Sequence, residues 1–252
     1  MCTVTVLRGA DSTVMTMNRD EQWSRAPETP PQLFEEVEQG AWIGPVDGEK
    51  GGTWIGANAQ GVVACILNGY SPADLELVGR RNVPSRGEII PALLARPPAA
   101  IAPFLTSELD PHRYPSFTLL VLTPNDGVRL DWSRGGRIRK EALDLGWSMV
   151  SSSLWRTEDV LAFRAQRFED WKRQGFPHIE GVPTFNVLEL PGLKEWSPLM
   201  TRTVSGTRSV TQVTINEGRA HMRYWRRRGA SGFALDRPDG SVALDLVSST
   251  TA

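Results

Sequence analysis

Short β-prone runs alternate with tight turns along most of this chain, and that rhythm limits the fold more than any other feature. Residues 3–8 alternate, with Thr3, Thr5 and Leu7 facing one way and Val4, Val6 and Arg8 the other. Residues 9–12 supply a turn and residues 14–17 a second short strand. The polar cluster Asn18-Arg19-Asp20-Glu21 stands at the end of this hairpin. Residues 24–31 hold three prolines and read as loop. Residues 53–59 and 61–67 form another hairpin, turned near Gln60-Gly61. Residues 72–82 are polar and loop-like. Residues 88–95 and 99–109 read as short helices, separated by Pro97-Pro98. Residues 116–122 are nearly all apolar and predict an interior strand. Asn125-Asp126-Gly127 turns the chain into residues 128–132, and 137–144 continue the meander. After a loop-rich stretch over 176–198, residues 209–215 and 219–225 pair around Asn216-Glu217-Gly218. Residues 233–235 and 242–247 are weaker final strands.

One long helix is expected over 157–174. Thr157 is its expected N-cap, and Glu158 and Asp159 suit the first turn. Val160, Leu161, Ala165, Phe168 and Trp171 make an apolar stripe, and Gly175 and Pro177 end the helix. Many strands with three to five helices point to an α+β fold built on large antiparallel sheets, not βαβ units. No stretch reads as a linker, so residues 1–252 are expected to form a single domain.

A chain of 252 residues buries roughly 70% of its surface on folding, enough for a core without staples. Lys+Arg number 28 and Asp+Glu 29, which argues against a broad nucleic-acid-binding surface. The two cysteines, Cys2 and Cys65, form neither a disulfide framework nor a Cys-x-x-Cys pair. No secretory signal is visible. The most apolar region, residues 89–105, is broken by Arg96 and four prolines. No integral membrane association is expected, and the expected location is cytoplasmic. Oligomeric state is open.

Cys2 is the most informative residue. With Met1 removed, its α-amine, titrating near pH 8, accepts the proton of its own thiol and makes a nucleophile with a built-in base. The competing reading is the small apolar face of an edge strand. Arg19 and Asp20 come back beside residue 2 at the hairpin end. Arg19 offers a carboxylate clamp or an electropositive neighbour for the nucleophile, and Asp20 an orienting group for the amine. The alternative is an ordinary pair fastening a turn. Gly51-Gly52-Thr53-Trp54-Ile55-Gly56 is not a P-loop. Its glycines permit close packing, and Trp54 caps a pocket or fills the core. His112, His178 and His221 are scattered, so no metal site is expected. Arg223, Arg226, Arg227 and Arg228, with Tyr224 and Trp225 among them, attract an anion or form a solvated strand end.

Several blocks occur in order: Met1-Cys2, Asn18-Arg19-Asp20-Glu21, residues 24–27, the Gly51 to Gly56 block, Asn68-Gly69, Ser85-Arg86-Gly87-Glu88 and Gly206-Thr207-Arg208-Ser209. Together they resemble the NRDE family, the transport and Golgi organisation protein 2-like proteins. The resemblance implies a four-layer αββα fold of the N-terminal nucleophile hydrolase type, as in bile-salt and penicillin V acylases. It implies catalytic roles for Cys2, Arg19, Asp20, Asn68, Ser152 and Arg208, and ligand binding by Asn18, Arg19, Trp54, Asn68 and Arg208. One departure stands out. The family's Leu-Ser-Asn reads Val150-Ser151-Ser152 here, so Ser152 occupies the asparagine's place with a shorter reach. Loss of one oxyanion donor costs ~3 kcal/mol in kcat. Two functions follow from the resemblance. One is a Cys2-dependent hydrolase of linear or cyclic amides that needs no cofactor. The other is a non-enzymatic haem or acyl-group binding and trafficking protein. A purely structural interaction protein is a third class. A small-molecule ligand is expected under the first two.

Overall fold

The computed structural model describes residues 2–36, 40–78, 80, 82–229 and 232–247. The chain starts in the interior of one sheet. β1 (Cys2–Arg8) and β2 (Thr13–Gln22) form a hairpin that pairs Cys2 with Arg19 and Thr3 with Asn18. The chain then builds a second sheet from β3 (Thr29–Glu36), β4 (Gly40–Val46), β5 (Ile55–Asn58), β6 (Val63–Asn68), β7 (Phe117–Leu122), β8 (Gly127–Trp132) and β9 (Arg139–Ala142). These seven strands pair in chain order as an antiparallel meander. Helices α1 (Ile89–Leu94) and α2 (Pro98–Pro103) lie between β6 and β7 in sequence. β10 (Gly146–Ser152) returns to the first sheet beside β1 and leads into α3 (Thr157–Arg173). A small pair, β11 (His178–Ile179) and β12 (Val182–Pro183), follows. β13 (Ser205–Asn216), β14 (Arg219–Arg226) and β15 (Gly240–Asp245) complete a six-stranded sheet ordered β10-β1-β2-β13-β14-β15.

The layers follow from what each face buries. α1 packs on β5 and β6, while α3 packs on β10. The sheets meet each other through β1 and β6 and through β5 and β13. Val4, Val6, Met15 and Met17 of the first sheet share one core with Ile43, Ile55, Leu67 and Leu119 of the second. Each such side chain contributes about 1.5–3 kcal/mol of burial. The result is the expected αββα arrangement.

Several local expectations change. Asn18-Arg19-Asp20-Glu21 lies inside β2, which runs on to Gln22, not beyond the hairpin's strand. Residues 29–31 are strand despite Pro30 and Pro31. β3 is the edge of its sheet, where a missing N–H costs little, and its register slips between Thr29 and Gln32. The strand pair β3–β4 has no counterpart in the sequence reading. Residues 72–77 form a 3-10 helix capped by Ser71. Residues 233–235 are not strand. α3 starts after Arg156, whose φ is 44°, and Thr157 is its first residue with its hydroxyl donating to Ser153 O. The buried stripe of α3 is Val160, Arg164, Phe168 and Trp171, whereas Ala165 is exposed.

Candidate active site

The site is set at the ends of β1, β2 and β10. Side chains alternate along a strand, so β2 sends Arg19 towards the space between the sheets and Asn18 and Asp20 towards the α3 layer. Cys2 is buried, with Arg19 its partner on one side and Ser152 on the other. Its main-chain nitrogen donates to Ser152 Oγ at 3.1 Å. Ser151 Oγ donates to Cys2 O at 3.2 Å. Burial pushes the Cys2 thiol up, and the Asp20 charge adds to this, while the Asp20 main-chain N–H and Arg19 work against it. Burial thus makes this thiol a weaker acid than an exposed cysteine's.

Arg19 is caged by acids. It donates to Asp47 Oδ2 at 2.6 Å and to Glu28 Oε2 at 3.4 Å, and it lies 3.8 Å from Glu21 Oε2. Its guanidinium sits over Trp54 at 4.5 Å. Arg25 grips the same Asp47 with two bonds of 2.9 Å. Burial opposes the Asp47 charge, but Arg25, the Lys50 N–H and Arg19 outweigh it and hold the carboxyl at about 2. Three carboxylates thus fix the Arg19 guanidinium beside Cys2 and balance its charge.

Asp20 sits across the sheet from Arg19. Its Oδ1 accepts from Thr207 Oγ1 at 2.6 Å, and its Oδ2 is 4.0 Å from Arg164. Burial pushes this carboxyl up, with Arg164 the largest opposing influence. Arg164 is fully buried and also donates to Thr3 Oγ1, Ser151 Oγ, Trp196 O and Ser197 O at 2.8–3.0 Å. It thus ties α3 to the strands on both sides of Cys2.

A cleft of about 130 Å³ opens at Cys2, lined by Arg19, Asp47, Trp54, Asn68 and Arg86 among others. Two glycine blocks make its rim. A Cβ on Gly52 would fall 2.6 Å from the Gly87 carbonyl carbon, and Thr53 N donates to Gly87 O at 3.0 Å. A side chain at residue 52 has no room against the Gly87 backbone, which accounts for the glycine there. A cavity of about 650 Å³ adjoins the cleft, sharing Asp20, Glu21 and Asn68 and adding Tyr70, Leu154, Trp155 and Val204. Asn68 bonds the Tyr70 hydroxyl, which burial pushes up.

The structure therefore brings Cys2, Arg19, Asp20, Trp54 and Asn68 to one cleft, with Ser152 bonded to the Cys2 nitrogen. Two candidates stand elsewhere. Asn18 points away from the cleft and donates to Asn186 O and Pro198 O at 2.7 and 2.9 Å. Arg208 is the extra residue of a bulge: Thr207 pairs with Asp20 and Ser209 with Arg19. Its guanidinium donates to Gln22 O and Arg25 O, lies 3.6 Å from Glu28 and lines a different cavity, of about 690 Å³. The arginine facing Asp20 is Arg164, which the sequence reading passed over. Its signal was present, since it is one turn from both Val160 and Phe168. Arg86 lay in a noted block without a role, and Asp47 lay in none.

Among the described residues no group of three or more His, Cys, Asp and Glu could hold a metal ion. No described helix is long and apolar enough to cross a membrane.

The fold falls in the N-terminal nucleophile hydrolase class. A single-residue variant of conjugated bile acid hydrolase from Clostridium perfringens superposes with a TM-score of 0.53 at 13% identity, over 97% of this chain and 92% of that one. The N-acylethanolamine-hydrolyzing acid amidase orthologue of Caenorhabditis elegans gives 0.50 at 13% identity, over 84% and 92%. The Transport and Golgi organisation 2 family model matches residues 1–175, and the chain belongs to that family. No curated protein matches it.

Proposed function

We propose that this protein hydrolyses carbon–nitrogen amide bonds, linear or cyclic, with Cys2 as nucleophile. One observation carries the reading: a buried thiol on the Asp20 N–H whose own main-chain nitrogen is held by Ser152 Oγ at the base of a cleft. In this reaction Cys2 is the first residue of the mature chain. Met1 lies outside the described residues. The free α-amine takes the thiol proton and the sulfur attacks the amide carbonyl carbon. The carbon–nitrogen bond then breaks as the ammonium returns that proton to the leaving nitrogen. Water hydrolyses the thioester, releasing a carboxylic acid and restoring the thiol. Ser152 accepts from the amine, Asp20 supplies the nearby negative charge that orients it, and Arg19 favours the thiolate. Asn68 is the side-chain donor for the oxyanion. Ser152, already an acceptor for the Cys2 nitrogen, has its one hydroxyl hydrogen left for that task.

Intact-protein mass spectrometry of natively processed protein is the first test, and retained Met1 would overturn this mechanism. With Met1 absent, panels of N-acyl amino acids and β-lactams should give turnover or a thioester mass on Cys2. Cys2→Ala should abolish turnover and Cys2→Ser should slow it by orders of magnitude, while Cys65→Ser leaves it. Turnover that survives in Cys2→Ala would move the acyl-carrier reading ahead.

A further inference from the structure

The largest of the three cavities plays no part in the chemistry above. It lies on the far side of Glu28 from Arg19 and is lined by four cations, Lys194, Arg208, Arg226 and Arg227, against two carboxylates, Glu28 and Glu189. The carboxylates are already shared. Glu28 is 3.4 Å from Arg19 and 3.6 Å from Arg208, and its other oxygen accepts from Tyr224 OH at 3.1 Å. Burial opposes its charge, yet Arg19 and Arg208 leave it below the ordinary carboxylate range. Glu189 serves both Lys194 at 3.0 Å and Arg227 at 3.3 Å. The wall is left with a surplus of positive charge.

The cations are also held in place. Arg227 donates to Met200 O, Thr207 O and Thr201 Oγ1. Arg226 donates to Glu28 O at 2.8 Å, and Arg208 to Arg25 O at 2.6 Å. Fixed guanidinium forks of this kind suit carboxylate and phosphate oxygens. Trp23, Pro27 and Leu199 supply apolar wall beside them. The volume, about 690 Å³, is within the usual range for a small organic ligand.

We propose that this cavity is a second ligand site, separate from Cys2, for an organic anion: a carboxylate or phosphate head on an apolar body. The inference is independent of amide hydrolysis. Glu28 links the two places, because an anion that takes Arg208 frees Glu28 to face Arg19 alone. Occupancy of the cavity should therefore be felt at the Cys2 thiol.

The test is calorimetric titration of the full chain with 1-naphthyl phosphate, 1-naphthoate and neutral 1-naphthol. Saturable binding of one or both anions, at least tenfold tighter than naphthol, is expected, and the better of the two identifies the head group. Arg226→Glu and Lys194→Glu, both exposed residues of the lining, should each weaken it at least tenfold. Binding should persist after Cys2 is alkylated, and the anion should change the alkylation rate of unmodified protein by at least twofold. Equal affinity for naphthol, or binding that both charge reversals leave intact, overturns the site. Binding lost on Cys2 alkylation assigns the anion to the Cys2 cleft and also overturns it. An unchanged alkylation rate overturns the Glu28 link.

Discussion

The two faces of β2 treat buried carboxylates in opposite ways. On the Arg19 side, Asp47 takes direct bonds from two arginines and two main-chain N–H groups, and its carboxyl is held at about 2. On the α3 side, Asp20 accepts from Thr207 Oγ1 at 2.6 Å and lies 4.0 Å from Arg164, and burial pushes it up. Asp20 is fully enclosed and Asp47 less deeply so. Burial dominates at Asp20, whereas direct bonds from two arginines outweigh it at Asp47. Asp47 is a permanent anion that pins Arg19. Asp20 is a reluctant one on the opposite face of the strand.

The largest test of this contrast is Arg19→Met. It leaves Asp47 and Glu28 without their shared cation, and the loss of stability should be about 3–5 kcal/mol by urea unfolding. Adding Asp47→Asn should restore part of that loss. Strictly additive losses would mean that Asp47 and Arg19 are not coupled.

A smaller effect lies in the pH dependence. The folded Asp47 value is below the ordinary 3.8, so its stabilisation is present above 3.8 and lost as pH falls towards 2. Allowing for solvent around the cluster, this amounts to on the order of 1–2 kcal/mol. Asp20 has the opposite sign. Its raised value favours the folded state below the ordinary carboxylate value, and that contribution disappears as pH rises through the folded value. Urea midpoints between pH 2 and 8 should show Asp47→Asn losing the acid-side decline, whereas Asp20→Asn gains relative to wild type as pH rises. The same sign in both variants would contradict the contrast.

The smallest expected effect is Ser152→Ala. It removes the acceptor for the Cys2 nitrogen and should cost about 0.5–1.5 kcal/mol, seen as a shifted urea midpoint. Ser152→Asn restores the residue type the family pattern carries and tests whether a longer donor raises kcat with KM little changed.

Local chemistry made much of the molecule legible in advance. The hairpins around residues 9–12, Gln60-Gly61 and Asn216-Glu217-Gly218 follow from turn residues between alternating runs, and α3 from its periodicity. Cys2, Arg19 and Asp20 could be grouped because one hairpin joins them. Gly52 and Gly87 were visible as motif glycines, although their mutual contact was not. Other features depended on pairings between segments far apart in sequence. Whether Arg208 meets Cys2 turns on one bulge between Thr207 and Ser209, which gives the place opposite Arg19 to Ser209. Asp47 joins the site because the second sheet carries it beneath β2, and Arg164 because α3 packs on β10. A single extra residue in a ladder or the docking of a helix decides which charges face each other. The stripe of α3 marks Arg164 as interior, but no pattern in either segment names the charge it meets, so these contacts were settled only by the tertiary structure.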